Sequence, residues 1–239
     1  MMHLQPPAAA APAPTLRRTN DLTWRRAGAA SGAVGAAVYV ASAFAGGSPL
    51  APDASATEIA AHLREARTGL LLGFLLASIA VTFLLWFLGY LRDFLAVEGG
   101  APALANATFA SWIALLAIIL GGTVPLAAIV WRGAGGLDPA LVQLAFDANN
   151  LSLYALSAGA ALVSVLAPII VIWRSGVLPR WLVVLGAIEI AANVVELGGM
   201  FTRSGFNAAG YAGGVGPFLW ILWVGALSIT MTRRVTAAD

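Results

Sequence analysis

The sequence predicts an all-α, polytopic transmembrane helix bundle with six spans. The first observation behind this prediction is composition: the chain of 239 residues is 60% hydrophobic and 10% charged, and its mean hydropathy is +0.86. Soluble domains carry about 25% charged residues. The second observation is a series of apolar stretches, each near the ~20 residues that a helix needs to cross a bilayer. We place the six spans at 27–46, 69–91, 109–131, 150–173, 181–201 and 216–232.

The predicted organisation is one membrane domain between two tails. Residues 1–26 are Ala/Pro-rich and basic, which is typical of a disordered tail. Residues 27–232 hold the six spans, and residues 233–239 form a short C-terminal tail.

The first span has two interpretations. Its Ala- and Gly-rich composition makes it only mildly hydrophobic, and segment 41–43 resembles a signal-peptidase site behind an Arg-flanked apolar core. Cleavage is therefore one alternative. Gly28, Gly32 and Ala36 instead share one helical face, and small residues at this spacing are typical of close helix packing in lipid. We expect the span to be retained.

The loop after the first span is predicted to hold a short interfacial helix near 55–67, on the outer side of the membrane. Ser55 and Glu58 have the spacing of a capping box. Ile59 and Leu63 follow at i and i+4, so one face of this helix is apolar.

The distribution of basic residues predicts that both termini are cytoplasmic. All 13 basic residues are Arg, which together with the high Ala content is typical of a GC-rich bacterial coding sequence. The cytoplasmic side then holds Arg17, Arg18, Arg25, Arg26, Arg92, Arg174, Arg180, Arg233 and Arg234, and the outer side holds Arg64, Arg67, Arg132 and Arg203. This bias follows the positive-inside rule. We therefore expect a multi-pass protein of the bacterial inner membrane, with the lipid bilayer as its first partner.

The residues that several kinds of chemistry require are absent from the sequence. The chain has no Lys, so a Schiff base cannot form, and no Cys, so disulfides, thiol catalysis and iron–sulfur clusters are excluded. The only His residues, His3 and His62, lie outside the spans. We expect no cofactor, no metal site and no nucleic-acid partner. Enzymatic activity is the least favoured class, because no nucleophile accompanies the acidic residues discussed next.

The fifth span carries a polar stripe at membrane depth. Glu189, Asn193 and Glu196 are spaced i, i+4 and i+7, so a helix places them on one face. An acidic residue inside a span costs at least ~2.5 kcal/mol on insertion scales. Glu189 lies near the middle of its span, and no Arg, Lys or His lies at comparable depth. It is therefore either a group that exchanges a proton or cation, or a protonated acid that joins helices through hydrogen bonds.

Glu196 lies nearer the outer end of the same span and has a candidate partner. Arg203 follows seven residues later on the same face, and helical side chains lean toward the N-terminus, so the arginine can reach back. We predict a structural ion pair between Glu196 and Arg203. Asn193 lies between the two acids and extends the polar stripe.

The fourth span offers a second polar group. Asn150 and Tyr154 lie near the level of Glu196, and Ser157 lies nearer the level of Asn193. The short connection at 174–180 makes the fourth and fifth spans antiparallel neighbours. One hypothesis is an outward-facing polar vestibule between the two spans.

The alternative for the start of the fourth span is a purely structural role, with Asp147 or Asn149 capping its helix. For Glu189, Tyr39 and Thr82 are further candidate partners. Trp86, Trp220 and Trp223 could line a cavity, and packing against lipid is the favoured expectation for them.

Residues 138–183 resemble uncharacterised multi-pass bacterial membrane proteins classed as domains of unknown function. Those proteins are similar in having a short acidic helix after the first span, here Ala56 to Arg67, and a joint like that of residues 176–186 before the fifth. The resemblance covers most of residues 30–232. It implies a six-helix bundle and assigns no activity, so it transfers no functional residue.

The sequence thus favours a small proton- or cation-linked transporter, or a subunit of one. The residues predicted to line its path are Glu189, Asn193, Glu196, Asn150, Tyr154 and Ser157. A chain of 239 residues is expected to need a homo-oligomer or a membrane partner subunit for a complete path. The alternative is a non-transporting sensor, assembly factor or accessory protein in which the acids are structural hydrogen-bonding groups.

Overall fold

Every regular element in the part of the chain that the structure describes is a helix. The structure, a computed structural model, describes residues 16–47, 50, 54–134, 136–199, 201 and 215–237, with the backbone alone for 16–21 and 198–199. The helices are α1 (Leu16–Ala45), α2 (Ala56–Glu65), α3 (Arg67–Val97), α4 (Pro102–Arg132), α5 (Pro139–Leu151), α6 (Ala158–Ser175), α7 (Trp181–Gly199) and α8 (Val215–Ala237). A π-helical turn, Ser152–Leu156, joins α5 to α6.

Five helical stretches of the described chain are long and apolar enough to cross a membrane. They are Leu22–Ala45, Arg67–Val97, Pro102–Arg132, Pro139–Ser175 and Val215–Ala237. Several long apolar helices indicate an integral, multi-pass membrane protein. The predicted fifth span corresponds to α7, which has 19 residues and is not among these five, so the count of six spans stays a prediction.

Six helices form a ring. Each packs against its two neighbours in the order α1, α3, α4, α6, α7 and α8, and α8 returns to α1. Along α1 and α3 the contacts run in opposite directions, with Gly28 against Tyr90 and Gly35 against Leu84, as expected for antiparallel helices.

The packing face predicted on α1 is confirmed. A Cβ on Gly32 would come within 2.6 Å of the Phe87 ring, so α1 approaches α3 this closely only because the position is Gly. Ala36 is buried and faces Gly225 of α8. On the same side, Ser228 accepts a hydrogen bond from the Ala33 N–H at 2.8 Å. Small residues therefore let α1 contact α3 and α8 at once.

Both predicted tails are partly helical. α1 begins at Leu16 and α8 continues to Ala237. The two helices therefore extend beyond the predicted membrane domain into the predicted tails. The residues from Leu16 to Arg26 include neither Pro nor Gly, and nothing in them interrupts the helix.

The segment before the predicted fourth span is helical, not a loop. Asp138 caps α5 by accepting a hydrogen bond from the Ala140 N–H at 2.9 Å, and Pro139 occupies the first turn, where no N–H is needed. The capping role proposed for Asp147 or Asn149 is therefore wrong. Both lie inside the helix, and Asp147 accepts a hydrogen bond from Gln143 at 3.2 Å.

Two apolar cores stabilise the fold. The larger, around Phe87, Trp112 and Trp223, fills the ring toward the end where α3 ends and α4 begins. The smaller lies at the opposite end, where α2 packs on α4 and α5 through the buried residues Ile59 and Leu63. The capping box of α2 is confirmed: Ser55 and Glu58 exchange the expected hydrogen bonds.

Candidate functional site

The polar stripe of α7 faces the protein interior. Its buried face comprises Leu182, Gly186, Glu189, Asn193 and Glu196. The opposite face is apolar and exposed, with Val184 and Ile188 among its residues. The hydrophobic side chains are thus available to lipid, and the polar ones are turned toward the other helices.

Glu189 is fully buried, with a relative exposure of 0%. Asn193, one turn later, donates its side-chain amide to the Glu189 Oε1 atom at 2.6 Å and to the Glu189 main-chain carbonyl at 3.1 Å. The second carboxyl oxygen, Oε2, is buried and has no hydrogen-bond partner among the described residues. A buried polar atom without a partner is costly, so this oxygen calls for a proton, a water molecule or a cation.

Glu196 is 3% exposed and has a partner on another helix. Its Oε1 atom accepts a hydrogen bond from the main-chain N–H of Gly216 at 2.8 Å. Gly216 lies in the first turn of α8, where N–H groups have no partner within the helix and a negative charge is favoured. Arg203, the predicted ion-pair partner of Glu196, lies outside the described residues.

A cavity of about 440 Å³ lies inside the ring. Its lining comes mainly from α1, α3, α4 and the chain around the π-helical turn, and Asn193 of α7 and Trp220 of α8 complete it. The polar side chains of the lining are Tyr39, Ser42, Ser78, Thr123, Asn149, Tyr154, Ser157 and Asn193. The rest is apolar, which is common for sites that bind small molecules.

The cavity includes three of the predicted path residues: Asn193, Tyr154 and Ser157. Glu189, Glu196 and Asn150 do not border it, and Asn149 lines it in place of its neighbour. The cavity also extends toward α3 and α4, rather than lying only between the fourth and fifth spans.

The two acids adjoin the cavity without lining it. The Tyr154 phenol lies close enough to the Glu196 carboxylate, and to Tyr39, to interact with each electrostatically. Glu189 and Glu196 also interact with each other. A hydrogen bond through Asn193 therefore connects the cavity to Glu189, and Tyr154 in the cavity wall lies within electrostatic range of Glu196.

A close helix contact positions the π-helical turn beside the cavity. Gly122 of α4 touches Ser152, and a Cβ on Gly122 would overlap the Ser152 side chain. Within the turn, the carbonyl of Leu153 accepts a hydrogen bond from the Ser157 hydroxyl at 2.8 Å. The extra residue of a π turn changes the direction of the side chains within it, and such turns are frequent at functional sites.

Two tryptophans that were expected to face lipid are buried instead. Trp223 is 0% exposed and donates its ring N–H to the Leu182 carbonyl at 3.0 Å. Trp220 donates to the Ser164 hydroxyl at 2.9 Å and lies 4.8 Å, centroid to centroid, from Trp112. A buried indole needs an acceptor, and these acceptors lie on other helices, so the sequence alone could not reveal the contacts.

The other candidate partners of Glu189 are engaged elsewhere. Thr82 is exposed and donates to the Ser78 carbonyl of its own helix at 3.3 Å. Tyr39 lines the cavity, on the side of Tyr154. In the described ranges, no group of three or more His, Cys, Asp or Glu side chains is arranged to hold a metal ion.

Comparisons with protein-family models, curated proteins and solved structures find no match to this chain.

Proposed function

We propose that this protein is a small proton- or cation-linked transporter, or a subunit of one, in which Glu189 is the group that exchanges the ion. One observation carries the proposal. Glu189 is fully buried with one carboxyl oxygen unpartnered among the described residues, and it is hydrogen-bonded to Asn193, which lines a cavity large enough for a small solute. Intramembrane acids that face a bundle interior commonly mark ion paths.

Asn193 supplies the connection between solute and ion. Its amide holds Glu189 Oε1 at 2.6 Å, and the same side chain borders the cavity. A solute that competes for this amide would leave Glu189 with fewer hydrogen bonds, and binding of a proton or cation would then be favoured. Solute and ion occupancy are linked by this shared partner, and such linkage is reciprocal.

The remaining path residues have different roles in this scheme. Tyr154 and Ser157 contribute hydroxyls to the cavity wall, and Asn150 lies next to Asn149 just before the turn. Glu196 holds the start of α8 through Gly216, so its first role is positional.

The orientation belongs to the same proposal. Six spans with both termini in the cytoplasm of a bacterial inner membrane satisfy the arginine distribution, with nine residues inside and four outside. The end of the ring that carries α2 then faces outward. A homo-oligomer or a partner subunit would complete the path across the membrane.

The test is ion flux and stability measured together on two variants of Glu189. Glu189→Gln keeps the shape and an acceptor for Asn193 but cannot exchange a proton, so we expect it to abolish gradient-driven proton or cation flux in proteoliposomes while its thermal unfolding midpoint changes little. Glu189→Ala is expected to lose flux and stability. Glu65→Gln, on the exposed face of α2, is the matched control. Unchanged flux in both Glu189 variants would falsify the transport proposal.

The second candidate is a non-transporting accessory or sensor protein. Its support is that each acid already has a structural contact, Glu189 with Asn193 and Glu196 with Gly216. On this alternative, Glu189→Ala lowers the unfolding midpoint, Glu189→Gln does not, and proteoliposomes that contain the wild-type protein show no flux above empty vesicles. The two candidates therefore differ in the wild-type flux measurement.

A further inference from the structure

The cavity separates the two apolar cores of the protein. Leu84 and Leu115 line it and belong to the larger core. Leu70 and Phe74 line it from the other end and pack against the smaller core. Between these levels the ring is not filled by side chains, and the wall that remains is formed largely by α3 and α4.

α3 and α4 are fastened to each other near both of their ends. Near one end, Arg92 Nε donates to Asn106 Oδ1 at 3.0 Å. At the other, Arg67 donates to the carbonyls of Val130 and Trp131 at 3.0 and 2.8 Å, and so caps the C-terminus of α4. Between the two fastenings, residues of both helices line the cavity and are exposed at the surface as well, so the cavity wall has an opening there.

The opening faces outward from the ring. Val124 is 63% exposed and Leu120 is 40% exposed, yet both line the cavity, as does the exposed Ser78 of α3. Ser78 lies four residues from the middle of α3, or roughly 6 Å along the axis. Since α3 and α4 are both apolar enough to span a membrane, the opening lies at the depth of the hydrocarbon.

The described lining is mostly apolar and carries no charged side chain. Four of its eight polar side chains, Asn149, Tyr154, Ser157 and Asn193, lie on the side away from α3 and α4. No Arg, Asp or Glu is among the described residues that line it. An ionised group would enter at a large desolvation cost without a counter-charge, whereas a hydroxyl or amide would find donors and acceptors.

We infer that the cavity binds an uncharged amphipathic molecule that enters from the lipid phase between α3 and α4, with an apolar chain at Leu120 and Val124 and one hydrogen-bonding end at Asn193 and Tyr154. The inference rests on the proposed function in that this molecule is the solute whose binding is linked to Glu189. The volume of about 440 Å³ lies within the range of roughly 300–1,000 Å³ that ligand sites occupy.

The test uses a long-chain alcohol that carries a photoactivatable diazirine on its chain, added to the full-length protein in vesicles without any ion gradient. We expect the label on the segments 74–81 and 120–127. Ala127→Trp fills the cavity and is expected to lower labelling about ten-fold, which corresponds to roughly 1.4 kcal/mol of binding free energy. Ala128→Trp, on the exposed face of the same helix, should leave labelling unchanged.

A second pair keeps the test informative if Ala127→Trp does not fold. Ser78→Trp obstructs the opening, and Ile79→Trp, on the exposed surface beside it, is its control. The fatty acid of equal chain length, tested well above neutral pH so that it is ionised in the bilayer, is expected to label these segments less than the alcohol does. Equal labelling of each variant and its control, or equal labelling by acid and alcohol, overturns the inference.

The two proposals fail in distinguishable ways. If Ala127→Trp abolishes the labelling but the protein shows no ion flux, the ligand site is supported and transport is contradicted. If the flux depends on Glu189 but the two segments are never labelled, transport is supported and the ligand site is contradicted.

Discussion

At the scale of single residues, the two acids of α7 have separate tasks. Glu196 accepts the Gly216 N–H and so satisfies one of the free donors at the start of α8. Glu189 has only Asn193, which lies on its own helix, and its Oε2 atom has no partner in the described part of the chain. Protonating a carboxylate that holds a neighbouring helix would weaken the contact between the helices. A carboxylate with an unpartnered oxygen can gain or lose a proton there without losing a contact to another helix. Glu189 is therefore the better candidate for chemistry.

Gly216 provides a test of the contact made by Glu196. A Cβ at this position would lie 2.5 Å from Glu196 Oε1, so Gly216→Ala should push the carboxylate off its donor and destabilise the protein by about 1–3 kcal/mol, the usual cost of overpacking. Gly225→Ala is the control on the same helix, because its Cβ would meet Ala36 at an ordinary 3.6 Å. Thermal unfolding in detergent measures both. Equal midpoints for the two variants would contradict the proposed role of Glu196.

Glu58 gives a prediction about pH. Hydrogen bonds from the Ser55 main-chain N–H and hydroxyl lower the pKa of Glu58 below its ordinary value of 4.5. Because the folded-state pKa is depressed, the stabilisation of α2 is complete above the ordinary value and is lost as the pH falls through the lowered one. The protection of α2 amides from hydrogen exchange, taken relative to the intrinsic exchange rate at each pH, should therefore fall in that acidic range. Glu58→Gln should remove the pH dependence, and a response that persists in this variant would assign it to another group.

At the scale of helices, the unit from Pro139 to Ser175 supplies three of the polar side chains of the cavity, Asn149, Tyr154 and Ser157. The contact between Gly122 and Ser152 brings α4 against the π-helical turn, and the turn carries Tyr154 to the cavity wall. The glycine is required for the close approach, since any side chain there would occupy the place of Ser152.

Adjacent glycines test this contact. A Cβ on Gly122 would overlap Ser152, while a Cβ on Gly121 would meet nothing within 4 Å. Gly122→Ala is expected to lower the unfolding midpoint, at a cost of about 1–3 kcal/mol. Gly121→Ala should be neutral or stabilising by up to about 1 kcal/mol, because Ala is the better helix former. Ser152→Gly should restore part of the loss in Gly122→Ala, and no rescue would mean that another contact causes it.

The sequence predicts helices well where the signal is local. Hydropathy locates the long helices, the spacing of Glu189, Asn193 and Glu196 places them on one face, and the capping box marks the start of α2. It misses α5, because residues 139–149 fall outside the predicted spans, although Asp138 and Pro139 carry a helix-start signal. The π-helical turn depends on the contact with Gly122, a long-range effect that local periodicity does not contain.

At the scale of the molecule, ion pairs join three helices of the ring at the end opposite α2. Glu98 pairs with Arg25 of α1 at 2.7 Å and with Arg234 of α8 at 3.5 Å. Arg234 also donates to the Val177 carbonyl and lies over the Phe94 ring at 5.9 Å from its centroid. One acid thus joins the end of α3 to α1 and α8, near both ends of the described chain.

Neutralising Glu98 should loosen this junction modestly. Its side chain is 26% exposed and those of its two partners are about half exposed, so each pair is worth at most about 1 kcal/mol. We expect Glu98→Gln to lower the unfolding midpoint at low ionic strength and the difference to shrink in high salt, where charges are screened. Asp93→Asn, whose pair with Arg92 is exposed, is the control. A salt-independent loss would indicate packing rather than charge.

The candidate site could be predicted only in part. The polar stripe on α7 is visible in the sequence, but the cavity is built from helices that are distant along the chain, and hydropathy does not say which helices are neighbours. Glu196 shows the limit clearly. The ion pair with Arg203 stays a prediction, because that residue lies outside the described part of the chain. The contact that the structure describes, a main-chain N–H at the start of the next helix, could not be predicted. Almost every residue type has a main-chain N–H, so the sequence does not show which one a carboxylate will bind.

The π-helical turn also has a genetic consequence. Regular α-helix advances about 100° per residue, from 3.6 residues per turn, and a π turn holds one residue more than regular helix needs. Deleting a single codon between 152 and 156 would restore regular helix, and the relation between α5 and α6 would change little, because the wide turn absorbs its extra residue. Tyr154, which this turn carries to the cavity wall, would move instead. In evolutionary terms, the cavity depends on one inserted residue, so gaining or losing it is a single mutational event that leaves the hydropathy of the chain nearly unchanged.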